Sequence, residues 1–282
     1  MIIDGKAIAA QIEKEIKEKV AKIHGRKPCL GVILVGNHAP SQIYVNRKTK
    51  ACEAAGIRSF TKNLSEATTE QELINVIDVL NSDDAVDGIL LQLPLPKQIN
   101  ANAALQRIAP EKDVDGLHPY NFGKLLMGEK DGFVPCTPLG IRELLIRSNI
   151  ETTGRKVLVL GRSNLVGKPI AVLLMQNAIG GNATVTVAHS KSQNIKELCF
   201  NADIIIAAMG QPKFITQDMV KKGSIIIDVG INKIGNTIVG DVDFDALKEK
   251  CAFITPVPGG VGPMTIAMLL SNTLKSYFQR IS

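Results

Sequence analysis

The sequence predicts two α/β lobes, the second a Rossmann-like, doubly wound parallel sheet. Three observations carry this expectation. Along the 282 residues, two series of apolar, strand-like segments alternate with helical patterns, which is the pattern of parallel α/β architecture. Strands such as "GILLQL" are apolar almost throughout, as burial on both faces of a sheet requires. Between the two series the patterning stops from Pro110 to Pro138, in a stretch rich in Gly, Pro and Asp. An irregular stretch of that length inside a compact chain is functional or a connector.

Taken in order, Ile8, Ile12 and Ile16 recur every fourth residue, so the chain opens on an amphipathic helix. Acids and lysines interrupt the same segment before a secretory h-region could form. "CLGVILVG" reads as a strand, Pro40 to Ala55 as a helix stopped by Gly56, and "IRSFTKNL" as the next strand. Thr68 or Thr69 opens a helix with Gln71 or Glu72 in capping-box register. "DGILLQLPLP" is a third strand, and "NANAALQRIA" carries a short helix. After the irregular stretch, "TPLGIRELLIRS" starts a helix with Thr137 as N-cap and Pro138 in the first turn. The second series runs "KVLVLG", a helix after Gly167, "ATVTVAHS", a helix near Ser192 to Phe200, "ADIIIAAMG", a short helix and "GSIIIDVG". Strands and helices at this spacing describe a doubly wound domain. "CAFITPVPGGVGP" precedes a last helix, Met264 to Phe278. The expected lobes are 1–139, completed by the C-terminal helix of 259–282, and 140–258, with the cleft between them as the site.

Composition narrows the function. Hydrophobic residues make up 45% and charged residues 21%, as in soluble globular proteins, and no apolar run approaches the roughly 20 residues of a membrane span. Cys29, Cys52, Cys136, Cys199 and Cys251 are odd in number and have no C-x-x-C spacing; a disulfide framework or zinc site is not expected, and a reducing cytoplasm fits. The net charge of +6 is spread among glutamates, as in "EKEIKEKVAK", and aromatics are only 4%. Stacking platforms for nucleic acid are therefore scarce, and a phosphate-bearing small molecule uses the same charge. There is no metal-ligand spacing, no G-x-S-x-G and no Walker loop.

"VLVLGRSNLVGKP", residues 157–169, follows a strand and opens a helix, where phosphate meets backbone N–H groups and the positive helix end. It reads G-x-x-x-x-x-G rather than G-x-G-x-x-G, with Ser163 in place of the second glycine; locally, a ligand-free glycine turn remains the alternative. An NAD site normally carries an acid at the end of the next strand. Here "AHSKS" has none, which favours NADP, with Arg162 and Ser190 as phosphate contacts. Lys191 reads either as a further contact or as a solvated loop charge. In the first half, Gln92 ends a buried strand at the carboxyl edge where open α/β sheets bind ligands. Tyr44 and Lys48 lie one helical turn apart on one face and begin at the same edge. "EKDVDG" adds Asp113 and Asp115. Singly these residues could cap backbone, form an Asx-turn or face solvent; together they place a tyrosine, a lysine, an amide and a carboxylate at one site.

The blocks "SQIYVNRKTKACEAAGI", "DGILLQLPLP", "EKDVDGLHPYNFGKL", "CTPLGI", "VLGRSNLVGKP" and "ITPVPGGVGPMTIAML" resemble, in order and over essentially the whole chain, the bifunctional methylenetetrahydrofolate dehydrogenase/methenyltetrahydrofolate cyclohydrolase family. The resemblance implies NADP-dependent oxidation of 5,10-methylenetetrahydrofolate to the methenyl cation, then hydrolysis to 10-formyltetrahydrofolate. It implies that Tyr44 stacks on the folate ring, Lys48 is the key cyclohydrolase group, Gln92 tunes that lysine and Asp115 holds the pterin. Pro258, Gly259, Gly260 and Val261 would form the folate-side loop. Gly161, Arg162, Ser163, Val166, Gly167, Ser190 and Ile231 would bind cofactor. A homodimer is implied by the resemblance alone. The competing readings are a monofunctional dehydrogenase with weak cyclohydrolase, a non-catalytic NADP-responsive binding protein, and a dehydrogenase of carboxylic or amino acids using Arg47 or Arg58.

Overall fold

The structure, a computed structural model, describes residues 1–235 and 237–281. The chain divides into two compact units. The first comprises Gln11–Cys136 and the chain from Ile266 onward; the second comprises Met1–Ala10 and Thr137–Thr265.

Helix α1 (Gly5–Ala21) leads into the first unit, which holds β1 (Cys29–Val35), α2 (Ala39–Ala55), β2 (Arg58–Leu64), α3 (Glu70–Ser82), β3 (Gly88–Leu91), α4 (Ala101–Arg107) and α5 (Pro119–Met127). Its three strands are parallel in the order β2-β1-β3. Every residue of β1 and β3 is buried, whereas the edge strand β2 is partly exposed, which is why β1 and β3 read as continuous apolar runs. Ile33, Leu73, Ile77, Ile89 and Ile108 belong to the core of this unit. Helix α2 stops at Gly56, whose left-handed φ of 76° costs a glycine no Cβ clash. Of the alternatives for α3, Thr69 and Glu72 form the capping box. The other end of α3 is closed by a lysine. Lys112, 1% exposed, donates to the carbonyls of Leu80 (2.9 Å), Asn81 (2.7 Å) and Asp83 (2.7 Å). Those carbonyls belong to the turn where a helix leaves acceptors unpaired and its dipole is negative.

The stretch 110–138 is not irregular throughout, because it contains α5. His118 Nδ1 accepts from the Tyr120 N–H at 3.0 Å, Pro119 occupies the first turn and Gly128 closes the helix at φ 77°. These signals were present as H-P and M-G, but Gly123 and the flanking Gly, Pro and Asp masked the period. Helix α6 (Cys136–Arg147) also differs from expectation. It begins at Cys136, so Thr137 lies inside it rather than capping it, its hydroxyl 2.9 Å from that of Thr265.

The second unit contains β4 (Lys156–Leu160), α7 (Gly167–Met175), β5 (Thr184–Ala188), α8 (Ile195–Asn201), β6 (Ile204–Ala207), a 3-10 turn (Gln217–Met219) and β7 (Ile225–Asp228). It continues with the hairpin β8 (Asn232–Ile234) and β9 (Thr237–Val239), then α9 (Phe244–Leu247) and β10 (Phe253–Ile254), before α10 (Val261–Ile281) returns the chain to the first unit. The five-stranded sheet is parallel, in the order β10-β7-β6-β4-β5. Helix α10 starts at Val261, earlier than Met264, and runs past Phe278; Ser282, the end of the expected terminal segment, lies outside the described residues. The first ten residues group with this unit for a physical reason. The Ile3 N–H bonds the Ile254 carbonyl (2.9 Å) and the Ile254 N–H bonds the Met1 carbonyl (3.0 Å), and at Gly5 a Cβ would stand 1.8 Å from the Gly260 carbonyl oxygen.

In both sheets the first strand of the unit lies between the second and third. The chain therefore leaves neighbouring strands in opposite directions at β1/β3 and at β4/β6, and ligands of open sheets bind beyond the carboxyl ends at such a point.

Candidate functional site

In the first unit the β1/β3 switch point carries a lysine and an amide. Gln92 follows β3, and its backbone N–H bonds the Ile33 carbonyl at 2.9 Å. Its side-chain Nε2 donates to the Leu93 carbonyl at 2.7 Å, which leaves Oε1 to accept from Lys48 Nζ at 3.1 Å. Because the Leu93 carbonyl can only accept, the amide has one consistent orientation. Tyr44, 41% exposed, stands one turn before the half-buried Lys48 on α2.

Asp115 reaches the same neighbourhood through a thiol. Burial pushes the Cys136 thiol well above its ordinary range, the adjacent Asp115 pushes it the same way, and the charge of Lys48 opposes both. The structure thus gathers Lys48, Gln92 and Asp115, with Cys136 among them. Sequence reasoning missed Cys136 as a neighbour of the site, although it opens the "CTPLGI" block. The Asp115 segment is held on two sides. Asn272 donates to the carbonyls of Val114 (2.9 Å) and Val134 (3.0 Å). Asp113 accepts from Leu117 N–H (3.1 Å), His118 N–H (2.8 Å) and Asn121 Nδ2 (2.9 Å). Burial outweighs those donors and raises the Asp113 carboxyl to about 7. Asp113 is therefore a structural node that shapes the loop presenting Asp115.

In the second unit the β4/β6 switch point opens into a cavity of about 450 Å³, with Gly161, Arg162, Ser163, Ser190, Met209 and Gln211 in its wall. At Gly161, φ 123°, a Cβ would lie 2.2 Å from the Ala208 carbonyl oxygen, and at Gly167 one would lie 2.2 Å from the carbonyl oxygen of Gly161. The glycines allow the close approach of strand, loop and helix that a dinucleotide cradle needs. One detail departs from expectation. The first amides of α7 are not free, because Ser163 Oγ accepts from Val166 N–H (3.1 Å) and Gly167 N–H (3.3 Å), and its carbonyl accepts from Lys168 N–H (3.0 Å). A serine hydroxyl is a capping acceptor, so it takes the groups that a glycine would have left for phosphate.

Arg162 is exposed and, among the described residues, makes no hydrogen bond or ion pair. Ser190 is exposed just beyond β5, where no acid stands. His189 and Ser192 brace this turn through two bonds, His189 N–H to Ser192 Oγ (3.0 Å) and Ser192 N–H to the His189 carbonyl (2.8 Å). Outside the cavity wall lie the exposed Lys191, the half-buried Val166, the buried Gly167 and Ile231, which is 58% exposed. Pro258, Gly259, Gly260 and Val261 also lie in the second unit, where Gly259 adopts φ 110° and the Gly260 N–H bonds the Pro256 carbonyl at 2.9 Å. Among the described residues no group of three or more His, Cys, Asp or Glu could hold a metal, and no helix is long and apolar enough to cross a membrane.

A dinucleotide cradle at one switch point and a polar lysine–amide pair at another fit a nicotinamide-dependent dehydrogenase. Comparison with known proteins is more specific. Residues 3–115 match the catalytic domain, and 135–281 the NAD(P)-binding domain, of tetrahydrofolate dehydrogenase/cyclohydrolase. The chain is 61% identical to the bifunctional protein FolD of Protochlamydia amoebophila, over 98% of this chain and 97% of that one. It superposes on the FolD dehydrogenase/cyclohydrolase of Campylobacter jejuni with a TM-score of 0.96, at 49% identity and covering 99% of both chains. The Trypanosoma brucei dehydrogenase-cyclohydrolase, solved with NADP cofactor and an inhibitor, gives a TM-score of 0.93 at 41% identity, over 100% of this chain and 98% of that one. The chain belongs to the tetrahydrofolate dehydrogenase/cyclohydrolase family.

Proposed function

We propose that this chain oxidises 5,10-methylenetetrahydrofolate with NADP+ and hydrolyses the resulting 5,10-methenyl cation to 10-formyltetrahydrofolate. The observation that carries the reading is the Lys48–Gln92 hydrogen bond of 3.1 Å at the β1/β3 switch point, in a chain of this family. Bound NADP+ supplies the hydride acceptor.

The residues of the first unit do the rest. Tyr44 offers its exposed ring to the folate, and Asp115 receives the N–H groups of the pterin. A water that adds to the methenyl carbon loses one proton to the Lys48 amine, giving a carbinolamine; the remaining hydroxyl proton then passes to the leaving ring nitrogen as its bond to carbon breaks and the formyl C=O forms. A neutral amine keeps two donors and one lone pair. Spending one donor on Gln92 Oε1 restricts the lone pair to the two remaining tetrahedral positions.

Arg162 and Ser190 meet the 2′-phosphate, and the absence of an acid beyond β5 favours NADP over NAD. Val166, Gly167 and Ile231 stay in the cofactor assignment, and Pro258 to Val261 in the folate-side loop, on the resemblance of their motifs. We assign the chain to the cytoplasm on its five free, buried thiols. We expect a homodimer, for which the open edge strand β5, with Val187 40% exposed, is one surface that calls for cover.

The reading is tested by following reduced nicotinamide and methenyl absorbance together, with 5,10-methylenetetrahydrofolate and either NADP+ or NAD+. Nicotinamide reduction, faster with NADP+ and without lasting methenyl build-up, is the expected result. Persistent methenyl absorbance points to the monofunctional alternative, and no reduction by folded protein overturns the function.

A further inference from the structure

The segment that follows β6 forms part of the cofactor cavity, through Met209 and Gln211. Its backbone is shaped by a side chain far away in sequence. The carboxylate of Asp241, 0% exposed, accepts four hydrogen bonds. Oδ2 takes the N–H groups of Met209 (2.6 Å) and Gly210 (3.0 Å). Oδ1 takes the N–H of Gln211 (2.8 Å) and Nδ2 of Asn232 (2.8 Å). Three successive amides turned toward one anion make a backbone nest, and Gly210 supplies the left-handed φ of 68° that lets them converge.

The anchor is itself supported from below. The buried carboxylate of Asp228 accepts from the N–H groups of Asp241 (2.9 Å), Val242 (3.1 Å) and Gly230 (3.0 Å). Two glycines leave room for the pair: a Cβ at Gly230 would lie 2.2 Å from Asp241 Oδ1, and one at Gly240 would lie 1.8 Å from Asp228 Oδ2. Backbone pairing of Lys213 with Gly240 (3.0 Å) and of Ile215 with Asp241 (3.0 Å) already holds the later part of the segment. At 209–211 the carboxylate takes over as the partner, next to the cavity.

We propose that Asp241 is a positioning residue for the dinucleotide: its carboxylate holds the Met209–Gln211 backbone as one wall of the cofactor cavity and, through Asn232, ties that wall to the segment carrying Ile231. The proposal rests on the NADP reading above. It explains why a buried charge sits beneath a loop with no chemistry of its own. Water or a neutral acceptor would satisfy the amides, but only a two-oxygen anion gathers all four donors at once.

The test is Asp241→Asn, which keeps the size but turns an NH2 toward N–H donors. Binding of NADP+ is measured by titration calorimetry, beside KM and kcat for NADP+. Loss of charge-assisted hydrogen bonds predicts a rise of about tenfold or more in both Kd and KM, with kcat at saturating cofactor little changed. A purely structural role predicts the reverse split, because less folded enzyme lowers kcat and leaves Kd and KM where they were; that result overturns the proposal. If Asp241→Asn does not fold, Asn232→Ala removes one donor and leaves the three loop amides bonded. It is expected to raise Kd by a smaller factor in the same direction, and an unchanged Kd overturns the proposal. Calorimetry needs no turnover, so a wild-type chain that binds NADP+ yet oxidises no folate would sink the functional reading while the Kd comparison still decides the role of Asp241.

Discussion

Lys48 donates to Gln92 Oε1 at 3.1 Å while Gln92 is tied to its own neighbouring carbonyl, so the amine has a direction before any folate arrives. A proton acceptor placed this way contributes about 10²- to 10⁴-fold to a rate. Lys48→Met is therefore expected to lower cyclohydrolase turnover on the methenyl substrate by about that factor, at a melting temperature near that of the parent. Full turnover from the folded variant would remove Lys48 from the mechanism. That Lys48, Gln92 and Asp115 are neighbours could be anticipated in one dimension, Lys48 from its helical spacing to Tyr44, Gln92 from a strand end and Asp115 from a break of pattern, while their roles belong to the proposal. Cys136 and Asp241 were not legible, since a buried group acquires its role from neighbours distant in sequence. Cys136 meets Asp115 across the whole of α5, and Asp241 meets Met209 to Gln211 across one strand and a hairpin.

At the scale of elements, the strands were legible wherever burial on both faces made them continuously apolar, and α3 wherever its capping box announced it. The short helix α5 was hidden by glycines and prolines that serve as its caps, and the hairpin β8–β9 by strands of three residues each, too short for alternation to register. What holds the start of α5 in place is Asp113, and this has a consequence in pH. Its carboxyl is raised to about 7 in the fold, so between the unfolded value near 4 and about 7 the folded chain binds a proton that the unfolded chain does not. The associated stability is complete at the acid end of that window and is lost as pH rises through it. Asp113→Asn, which cannot ionise, is expected to flatten the fall of melting temperature from about pH 4 to pH 7. Asp228, raised to about 7 by burial in the second unit, keeps part of the slope in that variant. A slope identical to that of the parent would show that Asp113 does not titrate in the fold.

At the scale of the molecule, two parallel sheets repeat one plan, a first strand flanked by the second and third, and the residues assigned to the site in our proposal gather where the chain diverges. That plan was readable as alternating strands and helices, but strand order was not, because parallel pairing joins segments with no shared signal in the sequence. The division of the chain was also beyond patterning, since the first ten residues join the second unit through backbone bonds at Ile254. The capped start of α7 has a further consequence. With Ser163 occupying the first amides of that helix, the helix end has little left to offer a cofactor phosphate, and in the reading proposed above the 2′-phosphate is met by the exposed Arg162, which has no ion-pair partner among the described residues. Fields from exposed groups are screened by dissolved ions, whose screening length falls from about 30 Å at 0.01 M to about 3 Å at 1 M. The NADP+ Kd is accordingly expected to climb more steeply with added potassium chloride than the NAD+ Kd, so that their ratio narrows; parallel curves would place the phosphate against buried dipoles instead. The choice between the two nicotinamide cofactors would then belong to the ionic strength around the protein as much as to its sequence.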